Sequence, residues 1–107
     1  MKDGVHYAIG PDVAWIQASD HGGTPHLVWA AQLETTVQYE FTDTAWLVWM
    51  LLSDGISTAA DIQLELQRIH AELGDEAARP LFPDAALQGF LDALSRDGLL
   101  RASRPEI

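Results

Sequence analysis

The first half of the chain alternates short apolar runs with turn residues, a pattern typical of a small antiparallel sheet. Residues 13–17 and 26–32 are rich in β-type side chains, and residues 37–41 alternate apolar and polar side chains with a period of two. Residues 21–25 hold two glycines and a proline, which favour a turn, and residues 33–36 can turn the chain again. The pattern predicts three short strands in an antiparallel meander.

The second half of the chain has the apolar spacing of helices. Residues 45–52 are apolar on every side, which is typical of a helix that is buried on most faces or used at an interface. Thr42 and Asp43 can cap its start with their side-chain oxygens, and Gly55 can end it in a left-handed conformation. These residues predict the first helix.

Two further helices are predicted, each with one apolar stripe. Thr58 and Asp61 have the spacing of a capping box at the start of the second helix, and Asp84 begins the third. Gly74 and Gly98 can end them. The stripes at helical spacing are Ile62, Leu66, Ile69 and Leu73 in the second helix, and Leu87, Phe90, Leu91 and Leu94 in the third.

Three strands followed by three helices indicate an α+β fold in which the helices cover one face of a three-stranded antiparallel sheet. With 107 residues, 48% of them apolar, the chain has material for one core. We assign residues 13–100 to a single domain, residues 1–12 to an N-terminal extension and residues 101–107 to a C-terminal tail. Residues 76–83, which include two prolines, are expected to link the last two helices.

The composition argues against several classes of function. Cysteine is absent, which removes disulfides, thiolate metal sites and cysteine nucleophiles and suits the cytoplasm. Sixteen acidic residues against six basic ones give a net charge of −10, which repels nucleic-acid phosphates and anionic lipid. We expect no secretory signal, since residues 1–4 lack its apolar stretch, and the longest apolar run, residues 45–52, is shorter than the about 20 residues that span a membrane. We expect a cytoplasmic protein that binds a basic or neutral polypeptide, not nucleic acid or a membrane.

The sequence contains no recognisable catalytic or metal-binding constellation. Its four histidines, His6, His21, His26 and His70, are scattered, and no two of them have the i, i+4 spacing of a helical zinc site. Phosphate-binding glycine loops and the nucleophile elbow are also absent from the sequence. We therefore expect no enzyme activity, no metal and no cofactor.

Residues 39–49 carry the most informative motif. Tyrosine, a Thr-Ala pair and a tryptophan four residues after the alanine stand in order, with Phe41 where Leu is usual and Thr42 where Asn is usual. The pattern continues with Leu-Leu-x-Asp-Gly at 51–55 and Gly-Leu-Leu at 98–100. Over residues 13–100 the chain resembles the PqqD-like family, also called RiPP recognition elements, which bind the leader segment of ribosomally made precursor peptides. The matching motif residues are Tyr39, Thr44, Ala45 and Trp49.

The resemblance implies a winged helix-turn-helix-like fold with a peptide-binding groove. In this family the leader adds as an antiparallel strand beside the third strand and packs against the third helix, here residues 37–41 and 84–97. Leu87 and Leu91 are expected on the groove side, although at least two apolar residues of this helix should be core. The expected peptide-binding residues are Val37, Gln38, Tyr39, Glu40, Phe41, Leu87, Gln88, Leu91 and Leu94.

The resemblance also implies partners. The chemistry would belong to a modifying enzyme or leader peptidase, and the chain has the size of free-standing recognition proteins of lasso-peptide pathways. The apolar helix at 45–52 could support a homodimer. Because Gln38 and Glu40 alternate with the apolar positions of the third strand, their side chains are expected to point away from the helices.

Other functions are compatible with parts of the sequence. A DNA-binding winged helix would read bases with residues 84–97, but these carry three Asp and one Arg where DNA readers carry Lys and Arg. A small enzyme or metal protein would need a constellation that the sequence lacks. A general protein-interaction or regulatory domain with a different polypeptide partner is the main alternative, since a fold does not determine a function.

Overall fold

We describe the protein from a computed structural model, which describes residues 4–18, 27–73 and 83–103. These residues form five strands and three helices. In chain order they are β1 (His6–Ile9), β2 (Val13–Gln17), β3 (Leu27–Gln32), β4 (Gln38–Thr42), α1 (Asp43–Ser53), α2 (Ala59–Leu73), α3 (Asp84–Arg96) and β5 (Leu100–Ser103). The expected turn at 21–25, the end of the second helix at Gly74 and the linker up to residue 82 lie outside the described residues.

The three strands predicted from the apolar pattern form one antiparallel sheet in the order β2-β3-β4. Trp15 pairs with Ala30, and Ala30 pairs with Tyr39, so these residues share the sheet face that lies against the helices. Val28 and Phe41 pair on the same face and are buried. The α+β class with a three-stranded antiparallel sheet and three helices is therefore confirmed.

A second, two-stranded sheet makes the element order more complex than three strands followed by three helices. β1 pairs antiparallel with β5, with Tyr7 opposite Ala102 and Ile9 opposite Leu100. Residues 6–9 and 101–103 fall in the segments assigned from the sequence to an extension and a tail. Tyr7 of the first segment is buried in the core together with Val5, whereas residues 101–103 are exposed and pair with β1.

Glycines end two of the helices as the sequence predicts. Gly55 after α1 has a φ of 94° and Gly98 after α3 has a φ of 82°. At each end the next amide reaches back to the helix, Ile56 N–H to the Leu51 carbonyl at 3.1 Å and Leu99 N–H to the Leu94 carbonyl at 2.9 Å. These bonds form Schellman motifs, which satisfy the last carbonyls of a helix.

Of the two side-chain caps predicted at helix starts, at Thr58 and Thr42, the structure contains one. Thr58 caps α2 as predicted, since its Oγ1 accepts the Asp61 amide at 3.1 Å. Thr42 occupies the N-cap position of α1 with an extended backbone, yet its side chain caps no amide among the described residues. The expected Thr42 side-chain cap is therefore wrong. Packing of an apolar helix, rather than capping, holds α1 in place.

The core lies between the three-stranded sheet and the helices. Trp49 of α1 is at its centre, with its ring stacked on Phe41 at a centroid distance of 5.0 Å and edge-on to Trp15 at 6.1 Å. The all-round apolar character of α1 follows from this position, since β4, β1 and α2 all contact it. Its fully or largely buried residues are Val48, Trp49, Leu51 and Leu52.

Thr36 supplies a direct test of the β3–β4 connection. Its φ is 61°, a left-handed conformation that costs a non-glycine residue about 1–2 kcal/mol. Glycine at this position would relieve the strain. Its greater conformational freedom in the unfolded chain would lower the free energy of unfolding by about 0.5–1 kcal/mol, which offsets part of the gain. Thr36→Gly is therefore expected to raise the free energy of unfolding by about 0.5–1 kcal/mol, measured by urea denaturation followed by tryptophan fluorescence.

Thr35→Gly is the matched control in the same turn. Thr35 has no positive φ, and its Oγ1 accepts the Val37 amide at 3.4 Å, so glycine should lower the stability there. Equal destabilisation by both substitutions would contradict a strained Thr36.

Candidate functional site

The backbone of β4 forms one edge of the three-stranded sheet. Among the described residues β4 pairs with β3 alone. The Gln32 amide donates to the Val37 carbonyl at 2.9 Å, so these two residues form a hydrogen-bonded pair. In an antiparallel ladder, hydrogen-bonded pairs alternate with pairs whose backbone groups point away from the partner strand. Residues 37, 39 and 41 therefore direct their backbone groups toward β3. Gln38 and Glu40 direct their amides and carbonyls outward, and we call these backbone groups the β4 edge.

Helix α3 flanks the inner side of the β4 edge. The Tyr39 hydroxyl donates a hydrogen bond to the Asp97 carboxylate at the end of α3. The Phe41 ring meets the Phe90 ring edge-on at a centroid distance of 5.6 Å, and Tyr39 stacks on Phe41 at 5.6 Å. Tyr39 and Phe90 are half-buried, so both present part of an aromatic surface next to the β4 edge.

The apolar residues expected on α3 do not form this surface. Leu87, Leu91 and Leu94 have no exposed surface and belong to the core cluster. The expectation that Leu87 and Leu91 face a groove is corrected, because both residues are buried in the core, where α3 packs against α2 and β5. Phe41, another expected binding residue, is also buried and contributes to the site through its backbone and its contact with Phe90.

Gln88, expected to bond a bound strand, is engaged within the protein. Its Nε2 donates to the Tyr7 hydroxyl at 2.8 Å and to Asp92 Oδ1 at 3.0 Å. The bond to Tyr7 joins α3 to β1, which places Gln88 beside the two-stranded sheet rather than at the β4 edge. Of the expected site residues in β4, Gln38, Tyr39 and Glu40 have exposed or half-buried side chains, and Val37 just before the strand is half-buried.

The outer face of the sheet carries an apolar surface that was not predicted from the sequence. Ile16 is 44% exposed and Trp29 is 41% exposed, and the two residues pair directly across β2 and β3. Trp29 also pairs with Glu40, whose Oε2 accepts the indole Nε1–H at 3.3 Å. The alternation in residues 26–32 could have revealed this face, because Val28 and Ala30 point inward and Trp29 must then point outward.

The Tyr39–Asp97 contact links the edge strand to the end of α3. It raises the pKa of the Tyr39 hydroxyl above its usual value of 10.0, first through the hydrogen bond to Asp97 and then through burial. The unfolded chain then loses this proton at a lower pH than the folded protein. The stabilisation is complete below about pH 10 and declines as the pH rises through the folded pKa.

Tyr39→Phe tests this link. Removing the hydroxyl is expected to lower the free energy of unfolding by about 1 kcal/mol at pH 8, since the bond is half-exposed. The difference between the two proteins should shrink at pH 10.5, because this pH lies above the ordinary tyrosine pKa of 10.0 and the unfolded chain loses the Tyr39 proton before the folded protein does. Urea denaturation of wild type and Tyr39→Phe at both pH values measures the difference in their free energies of unfolding. If that difference does not change with pH, the role of the Asp97 hydrogen bond is contradicted.

Within the described ranges, no group of three or more His, Asp or Glu residues could hold a metal ion. In the same part of the chain, no helix is long and apolar enough to cross a membrane. The candidate site is a strand edge with an aromatic inner flank and an apolar outer face.

The comparisons with known proteins return no match: no protein-family model, no curated protein and no solved structure matches the chain. The family resemblance read from residues 39–49 therefore stays a prediction.

Proposed function

We propose that the protein is a non-catalytic binding module for the leader segment of a precursor peptide. The leader adds as a strand at the β4 edge, and the module presents it to a modifying enzyme or leader peptidase in the cytoplasm. The fold is proposed to be PqqD-like, with the winged helix-turn-helix character of that family. The resemblance at residues 39–49 supports this assignment, as does the α+β fold.

The observation that carries the proposal is the arrangement around the β4 edge. The outward amides and carbonyls of Gln38 and Glu40 can bond a peptide of any sequence that adopts an extended conformation. Tyr39 and Phe90 beside them offer apolar contact to alternate side chains of that peptide. Strand addition therefore supplies affinity through backbone bonds and selectivity through the aromatic flank.

A general protein-interaction domain is the second candidate, and the outer sheet face with Trp29 and Ile16 favours it. Aromatic residues are enriched in protein interfaces, and an uncovered sheet face can bind a folded partner without strand addition. The two candidates differ in the surface they use, which is the β4 edge in the first and the outer face in the second. DNA binding is disfavoured by the net charge of −10.

Fluorescence polarisation tests the proposal. A labelled leader peptide from the precursor gene nearest to this gene is titrated with the protein, and a scrambled leader serves as the control. Saturable binding at micromolar affinity or tighter, lost on scrambling, supports leader recognition. Equal binding of both peptides, or of neither, would contradict it and favour the general interaction domain.

A further inference from the structure

The side chains of a strand added at the β4 edge would alternate between the outer and the inner face of the sheet. A residue that pairs directly with Glu40 shares its face, because paired residues of neighbouring strands point to the same side. That residue therefore lies on the outer face of the sheet. The residues before and after it lie on the inner face, where Tyr39 and Phe90 are found. This sorting holds for both strand directions.

On the outer face the incoming residue meets a carboxylate next to an indole. Glu40 is exposed, and it forms no ion pair with any residue in the described part of the chain. Its hydrogen bond to Trp29 holds the indole toward β4. A depression of about 530 Å³ extends from Gln38 and Glu40 to Ile16, Trp29 and Ala31. The depression leaves space for a long side chain beside the carboxylate.

We propose that the leader residue paired with Glu40 is an arginine flanked on both sides by apolar residues. This inference rests on the proposed function and names the sequence that the β4 edge selects. The arginine stem lies in the depression, and the guanidinium pairs with Glu40 and stacks on the face of Trp29. Lysine fits less well, because its ammonium group cannot form a bidentate pair with the carboxylate or stack through a planar group.

Selection from a phage-displayed library of random 12-residue peptides identifies the sequence that the protein prefers. Wild type is expected to enrich peptides with an Arg between two apolar residues. The charge-reversed variant Glu40→Arg is expected to enrich Asp or Glu at the central position. Asp54→Arg is the matched control, since it makes the same charge change at the far end of α1, a helix about 16 Å long, and should keep the arginine preference.

A selected peptide and its Arg→Gln version are then titrated with wild type, Glu40→Gln and Asp54→Asn. Loss of the arginine should weaken binding to wild type and to Asp54→Asn by about tenfold. Binding to Glu40→Gln should change by less than about twofold between the two peptides, because the charged partner is gone. Circular dichroism of each variant shows that the fold is unchanged.

The outcomes separate this inference from the proposed function. Enrichment of alternating apolar peptides without a basic residue, or an arginine preference that survives Glu40→Arg, would overturn the inference and leave strand addition standing. An arginine preference lost equally in Asp54→Arg would also overturn it, since the whole-protein charge would then be its cause. Failure to enrich any peptide would overturn both.

Discussion

Leu91→Asp is expected to unfold the domain rather than to weaken peptide binding alone. Leu91 is 0% exposed and packs in the core cluster with Leu87 and Leu94. A carboxylate at this position would be buried without a partner, or would have to be neutral at physiological pH, and the leucine contacts would be lost as well. The combined cost is expected to exceed about 4 kcal/mol, a large part of the 5–15 kcal/mol stability of a small domain.

Circular dichroism and urea denaturation measure the effect of Leu91→Asp. Leu64→Asp is the matched control, since Leu64 of α2 is 63% exposed and the substitution is chemically the same. The control is expected to lose less than about 1 kcal/mol, mainly through helix propensity. A folded Leu91→Asp protein with reduced affinity for the leader would contradict the core assignment and return Leu91 to the binding surface.

The parts of the fold that depend on local patterns could be predicted from the sequence. The alternation in residues 37–41 predicted β4 because a period of two brings alternate side chains to one face. Gly55 and Gly98 predicted two helix ends because a left-handed residue favours glycine. In each case a few neighbouring residues determine the outcome, so the rest of the chain was not needed.

The two-stranded sheet could not be predicted in the same way. β5 has a single buried residue, Leu100, and so carries no apolar alternation of its own. It is a strand because β1 lies beside it, more than ninety residues earlier in the chain. The chain does show a period of two in Tyr7 and Ile9 of β1 and in Val5 just before it, and this signal could have revealed the strand.

The candidate site was predicted only where it depends on strand position. The exposure of the Gln38 and Glu40 side chains is confirmed, because alternation determines which face they occupy. The error at Leu87 and Leu91 has a different origin, since an apolar stripe on a helix looks the same whether a sheet or a peptide covers it. The distinction depends on the position of α3 relative to β4, which periodicity does not contain.

Gln38→Pro is expected to weaken leader binding at least about tenfold while leaving the domain folded. Proline removes the outward amide of residue 38 and places its ring where the added strand would lie. The ladder between β4 and β3 is retained, since the amides that serve it belong to residues on either side of Gln38. Gln38 is exposed and its backbone is extended, so we expect a loss of less than about 1 kcal/mol in stability.

Gln17→Pro on the opposite edge of the sheet separates loss of the β4 edge from general damage to the sheet. The Leu33 amide donates to the Asp12 carbonyl at 2.9 Å, so the backbone groups of Asp12 point toward β3. Backbone direction alternates along the strand, and Gln17, five residues later, therefore directs its amide and carbonyl away from β3. Proline there removes an equivalent outward amide from β2, and leader affinity should be retained. Polarisation titrations of both variants measure the difference. Full affinity in Gln38→Pro would exclude strand addition at β4, whereas selective loss in that variant places the leader at this edge.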